Sequence, residues 1–102
     1  MNKYIVDGKV AVLYSPGYGA GWWTWNKDND ECLFDKDIVQ MVIDGVSNKE
    51  IEQAAKEKWP DGYWGGADDL TIEWLPVGQR FMIEEYDGNE SFRYVEGDWI
   101  SA

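Results

Sequence analysis

The sequence predicts an α+β fold: an antiparallel sheet of about five strands with two helices packed on one face, ordered ββ(β?)-αα-βββ. Three observations predict it. Asp7-Gly8 and Asp87-Gly88 each separate short apolar runs, as hairpin turns do. Helical spacing of apolar residues is confined to the middle of the chain, between Asp35 and Pro60. Alternating apolar and polar residues return after Leu70. All 102 residues are expected in a single domain, since independent cores cluster around roughly 100–150 residues.

The first hairpin is read as Lys3-Val6 and Lys9-Tyr14 around Asp7-Gly8. Asp and Gly suit this turn because both tolerate positive φ. Val10, Val12 and Tyr14 share one strand face and Ala11 and Leu13 the other. Apolar residues on both faces mark a central strand covered from two sides. Ser15 to Gly21 is a glycine-rich loop containing Pro16. Trp22 to Asn26 is a candidate short strand, followed by the polar turn Lys27 to Glu31.

Asp35 is the expected N-cap of the first helix, with Asp37 in its favourable first turn. Ile38, Met41 and Val42 follow helical spacing, widened by Val39 and Ile43, and Gly45 suits the left-handed position past the end. Ser47-Asn48-Lys49-Glu50 has the capping-box pattern and opens the second helix. Ile51, Ala54, Ala55 and Trp59 lie along one side of it, and Pro60 stops it. Asp61 to Asp69 is a second loop rich in glycine and aromatics. Strands are expected at Leu70-Leu75, Gln79-Tyr86 and Ser91-Val95, and the tail with Trp99 and Ile100 adds a short edge.

Composition removes several function classes. The chain has no histidine, which excludes Ser-His-Asp and Cys-His catalysis and histidine-ligated zinc. One cysteine excludes an internal disulfide and a cysteine-only metal cluster. A net charge of −11 argues against binding nucleic-acid phosphates. No apolar run approaches the roughly 20 residues of a membrane span, and the first residues lack the apolar core of a signal peptide. The expectation is a cytoplasmic protein with no cofactor and no bound metal.

Four signals bear on chemistry. Gly17-x-Gly19-x-Gly21 follows a strand and offers backbone N–H groups to a phosphate. Trp22 stands where the dinucleotide fingerprint needs its third glycine, so that reading fails. The second signal is aromatic. Tyr18, Trp22, Trp23 and Trp25 flank one glycine loop, and Tyr63 and Trp64 lie in the other. In an extended segment neighbouring side chains face opposite ways, so at least one of these tryptophans is expected near the surface. There it would anchor a partner or stack on a ligand, although filling a small core is an equal use for each ring.

The third signal, Asn26-x-Asp28-x-Asp30, looks like the start of a calcium loop. Glu31 stands in place of the turn glycine and Asp37 in place of the bidentate Glu, so a solvated turn is the better reading. The fourth is the charge distribution. From Asp61 onward the chain carries ten acids and two arginines, −8 of the net −11. Such a face can steer a basic partner, and it also keeps a protein soluble. Asp68-Asp69 is the best carboxylate pair for acid–base work, but Asp69 also suits the turn into the next strand. Glu84 and Glu85 point to opposite faces of a strand. Cys32, beside Leu33-Phe34, is expected to be buried and inert.

Val10 to Trp22, Leu33-Phe34-Asp35, Gly65 to Trp74 and Ile83 to Gly88 resemble small proteins carried by tailed phages and prophages. The resemblance covers most of the chain and implies no catalytic residues. It implies an accessory protein in the host cytoplasm that occupies a host or defence protein or sequesters a nucleotide.

The leading expectation is therefore a non-enzymatic binding protein. An acidic face and loop aromatics would engage a host or defence protein. The expected site comprises Tyr18, Trp22, Trp23, Trp25, Tyr63, Trp64, Asp68 and Asp69. The alternative is a small-ligand module, with a nucleotide or sugar held in a pocket between the two glycine-aromatic loops. A homodimer through exposed tryptophans is a third arrangement.

Overall fold

A computed structural model describes residues 3–16, 21–24, 26, 29–86, 89–94 and 100–102, with the backbone alone at Asp69, Tyr86 and Asn89. The fold is α+β, with strands β1 (Ile5–Val6), β2 (Lys9–Tyr14), β3 (Thr71–Pro76), β4 (Arg80–Tyr86), β5 (Asn89–Arg93) and β6 (Ile100–Ser101). The helices are α1 (Lys36–Ile43) and α2 (Asn48–Lys58), with short 3₁₀ turns at Asp30–Leu33 and Gly65–Asp69.

Local sequence accounts for most of these boundaries. Asp7 and Gly8 take φ of 52° and 75°, as a two-residue hairpin turn requires. Asp35 caps α1 by accepting from the Ile38 amide at 3.0 Å, and Ser47 caps α2 by accepting from Glu50 at 3.3 Å. Gly45, at φ 70°, lets the Val46 amide reach back to the Met41 carbonyl at 3.0 Å. Each such cap is worth about 1 kcal/mol.

The strands form two antiparallel three-stranded sheets, ordered β1-β2-β3 and β5-β4-β6, and not the single sheet that the sequence predicts. The division falls at the Pro76-Gly78 turn. Gly78, at φ 85°, turns the chain, and the Gln79 amide closes on the Pro76 carbonyl at 3.0 Å. The end of the chain then takes the place beside β4 that β3 would have had. Gly78 N donates to Ala102 O at 2.8 Å, Ala102 N donates to Gln79 O at 2.9 Å, and Phe81 pairs with Ile100.

β2 is the central strand of its sheet, and Val10, Ala11, Val12 and Leu13 are wholly buried. α1 packs on β2 and β3, whereas the larger contacts of α2 are with α1 and the Gly65–Asp69 turn. The helix pair is thus layered, with one helix on the sheet and the other outside it. Phe81 and Ile83 of β4 are buried in the same core, as their shared face predicts. In β3 the buried residue is Leu75, and Trp74 is 37% exposed at its rim.

The candidate strand at Trp22 to Asn26 is not extended. Asn26 N donates to Trp23 O at 2.8 Å, Asn29 N to Asn26 O at 2.9 Å and Cys32 N to Asn29 O at 3.0 Å. These successive turns replace a ladder. The reason is burial: Trp22 and Trp23 both reach the interior, which adjacent residues of a half-covered strand cannot do.

Candidate functional site

The two glycine-aromatic loops do meet, and the described residues show how. Gly66 lies so close to Gly21 that a Cβ at position 66 would stand 1.8 Å from the Gly21 carbonyl oxygen. Asn26 joins the loops with one side-chain amide. Its Nδ2 donates to the carbonyls of Trp22 and Tyr63, both at 2.7 Å, and its Oδ1 accepts from the Tyr63 amide at 2.8 Å. A third glycine also serves packing, because a Cβ on Gly62 would fall 2.3 Å from the Trp64 ring.

The indole rings fill the space behind this junction. Trp22 and Trp64 lie with ring centroids 4.9 Å apart, and Trp64 and Trp59 are 5.1 Å apart. The indole N–H groups of Trp22, Trp64 and Trp23 have acceptors within the fold. Trp22 donates to the Cys32 carbonyl at 2.7 Å, Trp64 to the Trp59 carbonyl at 2.9 Å and Trp23 to Asp30 Oδ1 at 2.9 Å. A buried tryptophan needs such a partner, so these bonds fix the rings as well as satisfying them.

One acid belongs to this interior. On β5, Glu90 and Phe92 share a face by strand alternation, and that face is inward. Glu90 is 1% exposed. Its Oε1 accepts from Ser15 N at 2.8 Å, and its Oε2 accepts from Thr24 N at 2.9 Å and Thr24 Oγ1 at 2.8 Å. Among the described residues it has no ion-pair partner; oriented amides and a hydroxyl take that role. The carboxylate therefore ties Ser15 to Thr24, the two sides of the first glycine loop.

Placement changes the meaning of the expected site residues. Trp22, Trp23 and Trp64 are buried core side chains, so they are not exposed anchors. Tyr63 is 57% exposed. Asp68 is exposed and accepts from Asn48 Nδ2, at Oδ1 at 3.2 Å and at its backbone carbonyl at 2.8 Å. Tyr18, Trp25 and the Asp69 side chain lie outside the described residues. Glu90, counted with the acids of a presumed outer face, is interior.

The reactive groups are likewise engaged in the fold. Cys32 is buried, and burial pushes its thiol far up, helped by the nearby Glu90 and Asp30 carboxylates. That disfavours the thiolate, which is the nucleophilic form. In the calcium-like stretch, the Asn26 side chain is bonded to backbone and Asp30 accepts from Trp23. Among the described residues no three acids or cysteines gather as a metal site.

A different cluster reaches the surface. Tyr14 meets Phe92 edge-on with ring centroids 4.9 Å apart, and Phe92 stacks on Tyr94 at 6.1 Å with planes 5° apart. Tyr94 is 48% exposed. Glu73 of β3 pairs with Val12, which places it diagonally beside Tyr14 on one face of the sheet. Burial and then the Glu73 carboxylate raise the pKa of both Tyr14 and Tyr94. Sequence reading missed this group because its members come from three strands. Only the cross-strand register between β2 and β3 brings Glu73 to Tyr14.

No protein-family model, curated protein or solved structure matches the chain.

Proposed function

We propose that this protein is a small acidic binding module, without a catalytic role, that engages a basic segment of another protein. The observation that supports this reading most is the cluster of Glu73 with Tyr14, Phe92 and Tyr94. A carboxylate beside the half-exposed Tyr94 ring suits a lysine or arginine side chain, through an ion pair at one end and a cation–π contact along the ring. The net charge of −11 adds long-range attraction for such a partner. Tyr63 and Asp68 of the second loop are also exposed. The resemblance to phage accessory proteins makes a host or defence protein in the cytoplasm the expected partner.

The small-ligand alternative has less support. The described parts of the two glycine loops are pressed against each other, and their shared rings are buried. The test is a pull-down from bacterial lysate with wild type and a Glu73→Gln/Tyr94→Ala double variant. A partner should be retained at low salt, released at high salt and lost in the double variant. Equal retention by both proteins would refute the reading.

A further inference from the structure

The β1 edge differs in charge from the rest of the molecule. It carries Lys3 and Lys9 at either side of Ile5–Val6, and Lys36 lies nearby at the start of α1. Three of the nine basic residues of a chain with net charge −11 therefore gather here, facing one acid, Asp7. They border two open depressions. One, of about 490 Å³, is lined by Tyr4, Val6, Asp7, Lys9, Ile43 and Trp74. The other, of about 390 Å³, is lined by Lys3, Tyr4, Ile5, Val6 and Lys36, with no acid among them. Among the described residues neither Lys9 nor Lys36 forms an ion pair.

Among the described residues, nothing is hydrogen-bonded to the outer side of the Ile5 backbone. Ala11 N donates to the Tyr4 carbonyl at 2.9 Å, so Tyr4 and Ala11 form a hydrogen-bonded pair. Bonded and non-bonded pairs alternate in an antiparallel ladder. Ile5, opposite Val10, is therefore a non-bonded residue whose N–H and C=O point away from β2. β1 is the outer strand of its sheet, and no described strand pairs with that side. Ile5 and Val6 are 51% and 46% exposed.

We infer that the β1 edge receives an extended acidic segment of another protein by strand addition. The Ile5 amide and carbonyl would supply the ladder bonds, and the two depressions, which share Tyr4 and Val6, would take apolar side chains from one face of the added strand. Lys9 and Lys36 would pair with its acids, while Lys3, whose ammonium donates to the Ser101 carbonyl at 2.8 Å and lies 4.6 Å over the Phe34 ring, adds positive charge beside them. Charge decides against a second copy, since two β1 edges side by side would bring six lysines together, and a polyphosphate has no backbone amide or carbonyl to complete a ladder with Ile5. This surface lies at the opposite end of β2 from Tyr14, so it is independent of the basic-partner site.

The probe is a fluorescent peptide of about eight residues alternating glutamate and valine. Binding is read by anisotropy with the intact protein. Two controls are the lysine–valine peptide and the acidic peptide N-methylated at alternate amides. The acidic peptide should bind, and the lysine peptide should not. Raising NaCl from about 50 to about 500 mM should weaken binding by roughly tenfold or more. N-methylation should abolish it, since a methylated amide cannot donate to the edge.

On the protein, Ile5→Pro should remove the edge donor without touching the β1–β2 bonds, because proline is tolerated on an edge strand. Lys36→Glu should reverse a charge at a helix start, where glutamate is itself favourable. Each should weaken the peptide by roughly tenfold or more while the circular dichroism spectrum stays unchanged. Equal binding of the methylated and unmethylated peptides would overturn the inference even if Ile5→Pro fails to fold. So would sedimentation showing that this edge instead joins two copies of the chain, with dimerisation lost in Lys36→Glu or Ile5→Pro and no peptide bound.

Discussion

Ser15 and Glu90 hold each other twice. The Glu90 amide donates to the Ser15 carbonyl at 2.7 Å, and the Ser15 amide donates to Glu90 Oε1 at 2.8 Å. The second carboxylate oxygen continues to Thr24. One buried acid thus organises a loop that contains no regular secondary structure among its described residues.

Glu90→Gln keeps the shape and removes one acceptor. The Gln amide nitrogen cannot accept, so either Ser15 N or the Thr24 donors lose their partner. The expected loss is about 1–3 kcal/mol, the cost of an unsatisfied buried donor. For a domain of this size that lowers Tm by about 4–8 °C per kcal/mol. Ser91→Ala, on the exposed neighbour, should change stability by less than about 0.5 kcal/mol. Thermal and urea melts of the two variants check the contrast.

Gly66→Ala should be more damaging than Gly8→Ala. At position 66 the added carbon meets the Gly21 backbone at 1.8 Å, and a backbone cannot rotate aside as a side chain can. A loss above about 3 kcal/mol, or failure to fold, is expected. At position 8 nothing stands within 4 Å, and the φ of 75° alone costs about 1–2 kcal/mol. Urea midpoints should therefore rank wild type, Gly8→Ala and Gly66→Ala in that order.

Stability should fall at alkaline pH, and Cys32 should set the onset. The unfolded thiol loses its proton near its ordinary value of 9.0, while the folded thiol, raised by burial, keeps it. Above that pH the unfolded state binds fewer protons, so unfolding becomes more favourable as pH rises. The limiting slope for one group is about 1.4 kcal/mol per pH unit. Tyr14 and Tyr94, also raised, act in the same direction from about pH 10. Lys58 is raised mainly by its hydrogen bond to Asp37, at 2.9 Å, and its contribution is lost as pH passes through its folded value above 10.5. Cys32→Ala should hold its Tm nearly level from pH 9 to about 10, where wild type already declines. Parallel curves for the two proteins would remove the thiol as the cause.

Asp35 should matter more than Ser47 although both cap helices. Asp35 accepts from Ile38 N and also lies 3.3 Å from the Lys58 ammonium, which links the start of α1 to the end of α2. The Ser47 side chain makes only its cap bond among the described contacts. Asp35→Ala should cost more than the roughly 1 kcal/mol expected of Ser47→Ala. A melt repeated at high salt should narrow the difference, because salt screens the ion pair.

What the sequence determined by itself is local. Asp7-Gly8 set a turn through its φ, Asp35 and Ser47 set helix starts through their oxygens, and Lys9–Tyr14 was a doubly buried strand because apolar residues occupy both faces. Each of these depends on neighbours a few residues away, where sequence distance and spatial distance agree. Tertiary structure decided the rest. Trp22 and Trp23 are both interior because successive turns carry them there, and an alternation rule applies only to an extended chain. Glu90 resembles its exposed acidic neighbours in type, but Ser15 and Thr24, at separations of 75 and 66 residues, supply the donors that allow its burial. The division into two sheets follows from Ala102 reaching Gly78 and Gln79. A strand run shows which faces are apolar. Which strand or loop fills the place beside it depends on long-range packing, and that is why the aromatic cluster and the lysine-lined edge appear only in the folded chain.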